Sequence, residues 1–90
     1  MRAARADDNQ KDIVAALRDA GASVQPLHAV GRGVPDLLVG FRGVNVLMEV
    51  KTESKASKLN PLQVDWHESW RGLVCVVRNA DEAIAALSLA

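Results

Sequence analysis

Three residues in one short apolar stretch carry side chains that metal-dependent chemistry uses. In GVPDLLVGFRGVNVLMEVK, Asp36 lies near the start, and Glu49 and Lys51 lie two residues apart at the end. Two carboxylates that share a low-dielectric site repel each other unless a cation lies between them. Oxygen ligands without cysteine favour Mg²⁺ or Mn²⁺ over zinc. Such an ion polarises a phosphodiester and lowers the pKa of an attacking water, and Lys51 would position that water or stabilise charge on the phosphate.

The strands predicted around these residues bring them to one place. A hairpin in which Phe41 faces Val44 sets Asp36 directly opposite Glu49, with Cβ atoms about 5 Å apart. Side chains alternate along a strand, so Lys51 points to the same face as Glu49. A register slip of one residue would separate the two carboxylates. The alternative for any one of these residues alone is an ordinary ion pair at the end of a sheet.

The hydrophobic pattern predicts one small α/β domain, with a tight hairpin turn at Arg42-Gly43. The predicted helices are 9–20, 61–71 and 80–89, and the predicted strands are 23–28, 36–41, 44–51 and 73–77. Asp8 or Asn9, Asn60 and Asn79 are the expected helix caps. The unit from 44 to 77 implies a parallel strand pair with a right-handed crossover. Helices on both faces would explain the apolar central strands, giving an α/β/α sandwich around a mixed sheet. We expect residues 1–8 to be a mobile N-terminus and residues 9–90 to form the domain.

Composition excludes several classes of protein. Ninety residues suffice for one domain, and 49% hydrophobic and 24% charged residues are ordinary for a globular chain. Eleven basic residues balance eleven acidic ones, so a polyanion site must come from local clustering. The single cysteine, Cys75, excludes an internal disulfide and a cysteine-cluster zinc site, and its apolar setting predicts a buried, inert thiol. Neither a membrane-spanning run nor a signal peptide is recognisable, which favours a cytoplasmic location without a membrane partner.

Three segments carry a family resemblance: GRGVPDLLVG, VLMEVK and LNPLQVDWHESW, in this order and spacing. In them the chain resembles the PD-(D/E)XK nucleases, with Pro35-Asp36 and Glu49-Val50-Lys51 as the two halves of the motif. More narrowly it resembles the VRR-NUC (virus-type replication-repair nuclease) group, from residue 10 to about residue 84. The resemblance implies a restriction-endonuclease-like α-β-β-β-α-β(-α) sandwich with a central mixed four-stranded sheet. It also implies DNA cleavage that depends on Mg²⁺ or Mn²⁺.

The resemblance also implies roles for individual residues. Asp36 and Glu49 match the metal-binding carboxylates, the backbone carbonyl of Val50 matches a further metal ligand, and Lys51 matches the catalytic lysine. A glutamine that the family places on the following helix matches Gln63.

Two further residues are candidates for supporting roles in the site. His67 shares a helix face with Gln63, so both are expected to look into the site. Gln10 is the nearest match to a glutamate that the family usually carries on its first helix, which leaves open whether one or two metals bind. A shift of register would instead offer one of three acidic residues: Asp7, Asp8 or Asp12.

Loop cations beside the proposed site would suit contacts to the phosphate backbone, the alternative for each being a solubilising surface charge. They are Arg32, Arg42, Lys55 and Lys58. Trp66 and Trp70 recur with Leu62 at helical spacing, which indicates core or interface before base stacking. His28 receives no role.

These observations favour a metal-dependent endonuclease that cuts branched DNA such as four-way (Holliday) junctions, because the resembling proteins include small phage proteins that act on junctions. The alternatives are a nuclease for simple duplex, flapped or nicked DNA, and a non-cleaving DNA-binding or assembly module with the same fold. Junction resolution needs two opposed cuts, which predicts a two-fold homodimer. Its interface would include the last helix or the Trp66–Trp70 face.

Overall fold

The computed structural model describes residues 6–90 and confirms the predicted order of elements. The elements within these residues are α1 (Ala6–Asp19), β1 (Ser23–Pro26), β2 (Leu37–Phe41), β3 (Val44–Val50), α2 (Pro61–Ser69), β4 (Val74–Val77), α3 (Ala80–Ala86) and a final 3₁₀ turn (Leu87–Leu89). The first helix begins three residues earlier than predicted. The expectation of a mobile N-terminus falls, for residues 1–5, outside the described part of the chain.

The four strands form one mixed sheet in the order β1-β2-β3-β4. The β1–β2 and β2–β3 pairs are antiparallel, and β4 runs parallel to β3. Phe41 pairs with Val44, so the predicted hairpin register is confirmed. Arg42 and Gly43 have φ angles of 52° and 79°. Two positive φ angles in a two-residue turn give the twist that matches the flanking strands, and this turn sets the register.

The apolar core lies on one face of the sheet, under α1 and α3. Met48 and Val50 of β3 point to that face and pack with Ile13 and Leu17 of α1 and with Ala83 of α3. The alternate residues of β3 point to the opposite face, where Glu49 lies near His67 of α2 and the following Lys51 bonds to Gln63 of α2. Helices therefore lie on both faces, as predicted. The polar residues of β3 point away from the main core.

Asn60 caps the helix α2, as the sequence predicts, and the structure shows that the cap is reciprocal. The side chain of Asn60 accepts a hydrogen bond from the Gln63 backbone, and the Gln63 side chain accepts one from the Asn60 backbone, each at 2.9 Å. None of the nine residues of α2, all within the described chain, is buried. Leu62 and Trp70 are 62% and 47% exposed, so of the two expected roles, core or interface, the core is wrong for these residues and the interface stays a prediction. The face of β3 that carries Glu49 also carries Leu47, which is buried, so Leu62 and Trp70 remain exposed although apolar surface lies on that face.

The C-terminal part of the chain follows the predicted pattern with small differences. Asn79 caps α3 by accepting a hydrogen bond from the Glu82 backbone at 2.8 Å. Cys75 is half-buried against the core rather than fully buried, and burial raises the pKa of its thiol. The thiol is therefore protonated and unreactive at neutral pH. Among residues 6–90, no helix is long and apolar enough to cross a membrane.

Candidate functional site

The two carboxylates that the sequence paired do meet at the open end of the β2–β3 hairpin. Leu37 pairs with Met48, so the next position outward sets Asp36 beside Glu49. Oδ2 of Asp36 accepts a hydrogen bond from the backbone of Val50 at 2.8 Å. Interaction with the Asp36 side chain, by hydrogen bonding and by charge, helps to raise the pKa of Glu49. Two carboxylates share a hydrogen bond only when one of them carries a proton, so this arrangement favours a protonated pair when no cation is bound.

Glu49 is the carboxyl group whose surroundings favour that proton. The residue is 1% exposed. Burial raises its pKa from 4.5 to about 8, aided by the hydrogen bond to Asp36 and by the charge of Asp36, and opposed by the ammonium of Lys51. At neutral pH, without a bound cation, Glu49 is therefore protonated. A cation placed against it would reverse this balance and release the proton.

Lys51 is held on the same face by the first turn of α2. Its Nζ donates a hydrogen bond to Oε1 of Gln63 at 2.9 Å. The same oxygen accepts from the Asn60 backbone, so one atom joins the helix cap to the lysine. The backbone N–H of Lys51 also donates to the carbonyl of Val77 in β4, at 3.0 Å. Both ends of this lysine are thus positioned by contacts that are distant in sequence.

His67 faces Glu49, yet the two do not form an ion pair. Nε2 of His67 lies 4.0 Å from Oε1 of Glu49, which is too long for a hydrogen bond. Burial lowers the pKa of His67, and the Lys51 ammonium lowers it further, so the imidazole is neutral at neutral pH. Within residues 6–90, neither of these two buried atoms has a hydrogen-bond partner. Since unpaired buried polar atoms are costly, this is the place in the site where a polar or charged ligand gains most.

The residues present fit a hard divalent cation that keeps part of its water shell. Asp36 and Glu49 offer carboxylate oxygens, one of them unpartnered, and Val50 offers a backbone carbonyl between Glu49 and Lys51. No group of three or more histidine, cysteine, aspartate or glutamate side chains within residues 6–90 is arranged to hold a metal. The carboxylates of Asp36 and Glu49 and the carbonyl of Val50 are too few ligands for a structural zinc site. They suit Mg²⁺, which is usually bound through one or two carboxylates and retains several waters.

Asn9 contacts the site, although its place in the sequence predicts only a helix cap. Its Nδ2 donates to the carbonyls of Lys51 and Arg78, at 2.7 and 3.0 Å, and so ties α1 to the ends of β3 and β4. The capping role is wrong, because Asn9 lies inside α1. Gln10 points elsewhere and lines a groove with Pro26 and His28, between α1 and β1. The three acidic alternatives lie along α1: Asp8 and Asp12 are exposed, and the side chain of Asp7 lies outside the described part.

A second unforeseen residue, Arg78, organises the loop between β3 and α2. Its Nη1 donates to the carbonyls of Thr52 and Ser57, and the Thr52 backbone donates to Oγ of Ser57 at 2.8 Å. Lys55 and Lys58 are exposed on this loop, which follows directly on Lys51. The partners of Arg78 lie 21 and 26 residues away in sequence, so no local pattern could have indicated them.

The other two predicted DNA-contacting cations occupy different places. Arg32 is exposed in the loop that leads into Asp36. Arg42 lies in the hairpin turn, at the opposite end of β3 from the carboxylates. Glu49 lies five positions after Val44, which is about 17 Å along a strand. The guanidinium of Arg42 lies 5.1 Å from the centre of the Phe41 ring. The expectation that Arg42 lies beside the site is therefore wrong.

Comparison with known proteins agrees with the fold and with the family resemblance. No protein-family model matches the sequence, and no curated protein matches it significantly. A solved structure described as a VRR_NUC domain is similar to this chain, with a TM-score of 0.75 and 31% sequence identity. The match covers 96% of this chain and 97% of that one, which confirms the resemblance carried by the three sequence segments. The chain belongs to the VRR-NUC family of nuclease domains.

Proposed function

We propose that this nuclease domain is a Mg²⁺- or Mn²⁺-dependent endonuclease that hydrolyses DNA phosphodiesters. One observation carries the proposal: the buried, unpartnered oxygen of Glu49 lies beside Asp36, on the face that also presents Lys51. A buried glutamate with an unpaired oxygen lowers the stability of the fold, so it is unfavourable in a site that is only structural. A bound cation would pair with that oxygen. The arrangement is therefore better suited to binding an ion than to supporting the fold.

Asp36, Glu49 and the carbonyl of Val50 would hold the metal. A divalent ion bound there supplies Lewis acidity to the phosphate and lowers the pKa of a water molecule. Asp36 is oriented for this role because the Val50 backbone holds one of its oxygens. Glu49 contributes its carboxylate once its proton is released.

Lys51 acts on the reacting phosphate or on the attacking water. Its ammonium is directed by Gln63, which restricts a long side chain that would otherwise sample many rotamers. A preorganised cation stabilises the charge that develops on the phosphate more than a mobile one does. His67 is neutral and its Nε2 is unpartnered within the described chain, so it can bind a water or a phosphate oxygen beside Glu49.

The exposed cations nearest the site would contact the DNA backbone. Lys55 and Lys58 lie on the loop that Arg78 holds, and Arg32 lies on the loop that leads into Asp36. Such contacts add affinity that falls with salt and carry no base specificity. We expect binding to be strongly salt-dependent and tolerant of sequence.

The test of the chemistry is cleavage of labelled DNA in Mg²⁺, in Mn²⁺ and in EDTA. Glu49→Ala and Asp36→Asn should each abolish cleavage, because each removes a proposed metal ligand, while both variants stay folded. Asp65→Asn is the matched control: it makes the same chemical change on α2 at an exposed position. Near wild-type cleavage by either site variant, or full activity in EDTA, would contradict the assignment.

The substrate we propose is branched DNA, with a four-way junction as the example, cut by a homodimer. Two opposed cuts need two sites related by two-fold symmetry. Exposed apolar side chains on and near α2 and at the C-terminus supply material for an interface: Leu62, Trp70, Ile84 and Leu89. A panel of linear, nicked, flapped, forked and four-way substrates tests the preference. Equal cleavage of all of them would favour a general duplex nuclease, and a folded, metal-bound protein that cuts none would favour the non-cleaving module.

A further inference from the structure

Side-chain burial does not hold α2 in place over the site. Each of its nine residues, all described, is at least partly exposed. Leu62, in its first turn, is 62% exposed. A helix with so little buried apolar surface gains little packing energy from the sheet. Its position must therefore depend on a few specific contacts.

One of those contacts is a backbone approach from the loop that precedes β2. A Cβ atom added at Gly33 would lie 2.5 Å from the carbonyl oxygen of Leu62 and 3.2 Å from the backbone nitrogen of Gln63. Glycine is thus required for the loop to touch the peptide that links Leu62 to Gln63. The contact is at the residue whose side chain holds Lys51.

The loop has a defined conformation and a fixed end. Gly31, Arg32 and Gly33 have φ angles of 71°, 57° and 84°, three left-handed residues in a row. The Val34 backbone donates to the Gly31 carbonyl at 3.1 Å. Two residues after Val34, Asp36 is held by the Val50 backbone. The same segment therefore sets the place of a carboxylate and touches the first turn of α2.

The distances show that this contact has little tolerance. Moving the Leu62 oxygen from 2.5 Å to an ordinary 3.4 Å contact requires a displacement of about 0.9 Å. The hydrogen bond from Lys51 to Gln63 is 2.9 Å long, so a displacement of about 0.6 Å takes it past the usual limit. A side chain at position 33 would therefore displace the first turn by more than this hydrogen bond allows.

We propose that Gly33 is the positioning residue that seats the first turn of α2 over β3, and so holds Gln63 against the Lys51 ammonium. The proposal rests on the function proposed above for its consequence in catalysis, but the contact itself is independent of that function. The three atoms nearest to a Cβ added at Gly33 all belong to the backbone of Leu62 and Gln63. It acts through the backbone of α2.

Gly31 provides a matched control in the same loop. Its φ angle is also positive, so alanine there carries a similar conformational penalty. Among residues 6–90, no atom would lie within 4 Å of a Cβ added at Gly31. Gly31→Ala and Gly33→Ala therefore carry a similar backbone strain, but only the alanine side chain at position 33 clashes with α2.

The first measurement is amide hydrogen exchange at Gln63 and Val64, whose N–H groups bond to Asn60. Gly33→Ala should speed exchange at these two amides at least 10-fold, and Gly31→Ala should change it less than 3-fold. In the wild-type protein, an NMR cross-relaxation signal should join the Gly33 Hα protons to the Gln63 amide. Equal exchange in the two variants, or the lack of that signal, would overturn the proposal.

The second measurement is turnover of labelled DNA in Mg²⁺. Gly33→Ala should lower kcat at least 10-fold, and the kcat of Gly31→Ala should lie within 3-fold of wild type. In a Gln63→Ala background, adding Gly33→Ala should lower kcat by less than a further 3-fold. Full additivity of the two substitutions would show that Gly33 does not act through Gln63. If Gly33→Ala failed to fold while Gly31→Ala folded, the contact would serve the fold and not the site, and the positioning role would be overturned. If the wild type cleaved no DNA, the proposed function would fail, and hydrogen exchange alone would still decide the role of Gly33.

Discussion

Replacing Glu49 by glutamine should stabilise the metal-free protein and remove a specific pH dependence. Glu49 has a pKa of about 8 in the folded chain and an ordinary value of 4.5 when exposed. Between these pH values the folded state keeps a proton that the unfolded chain has released. The stabilisation from the proton on Glu49 is fully present below pH 4.5. It falls as the pH rises from 4.5 to about 8, and it is lost above about pH 8.

The size of the effect follows from the same two pKa values. Each pH unit within the window lowers the free energy of unfolding by about 1.36 kcal/mol, so the wild type loses about 3 to 4 kcal/mol between pH 5 and pH 8. A chain of this length has a total stability of roughly 5 to 13 kcal/mol, so the loss is a large fraction of it. Glutamine keeps the shape of Glu49 and a donor toward Asp36 but carries no titrating proton.

The assay is urea unfolding in EDTA at pH 5, 6, 7 and 8, followed by circular dichroism. The wild-type midpoint should fall by about 3 M between pH 5 and pH 8 if the slope is about 1 kcal/mol/M. The Glu49→Gln midpoint should stay nearly constant between pH 5 and pH 8, because residue 49 no longer titrates. Glu68→Gln, the same change at an exposed position of α2, should follow the wild type. Parallel pH profiles for the wild type and Glu49→Gln would refute the burial argument.

Three further predictions concern the metal, the lysine and the assembly. Apparent Mn²⁺ affinity, measured by calorimetry in EDTA-free buffer, should fall about 10-fold per pH unit below pH 8, because the ion must displace the Glu49 proton; a pH-independent affinity would show that Glu49 is no ligand. Lys51→Ala should cut turnover severely and leave Mn²⁺ affinity within a few-fold of wild type, since lysine is not a ligand. Light scattering at micromolar concentration should give twice the mass of one chain, and Leu62→Glu should return it to a single chain if the exposed face of α2 forms the interface. A single-chain mass for the wild type would count against the homodimer and against two-cut junction resolution with it.

Sequence alone determined those features that depend on local chemistry. The turn at Arg42-Gly43 and the alternation of strand residues specify a hairpin register, and that register puts Asp36 beside Glu49. Asn60 indicates the start of α2 because a capping side chain bonds to a backbone group only three residues away. The order of elements then required a parallel strand and a helix on each face, which the structure confirms.

Only the tertiary structure decided how the site residues are held and charged. The pKa of Glu49 depends on complete burial, and burial is a property of the packed chain rather than of a motif. Asn9 reaches across 42 residues to the Lys51 carbonyl. The Gly33 contact with α2 likewise joins two segments that adjoin only after folding. Periodicity and capping report neighbours within a few residues, so contacts between distant segments, and the electrostatics that follow from them, lie beyond what such patterns can indicate.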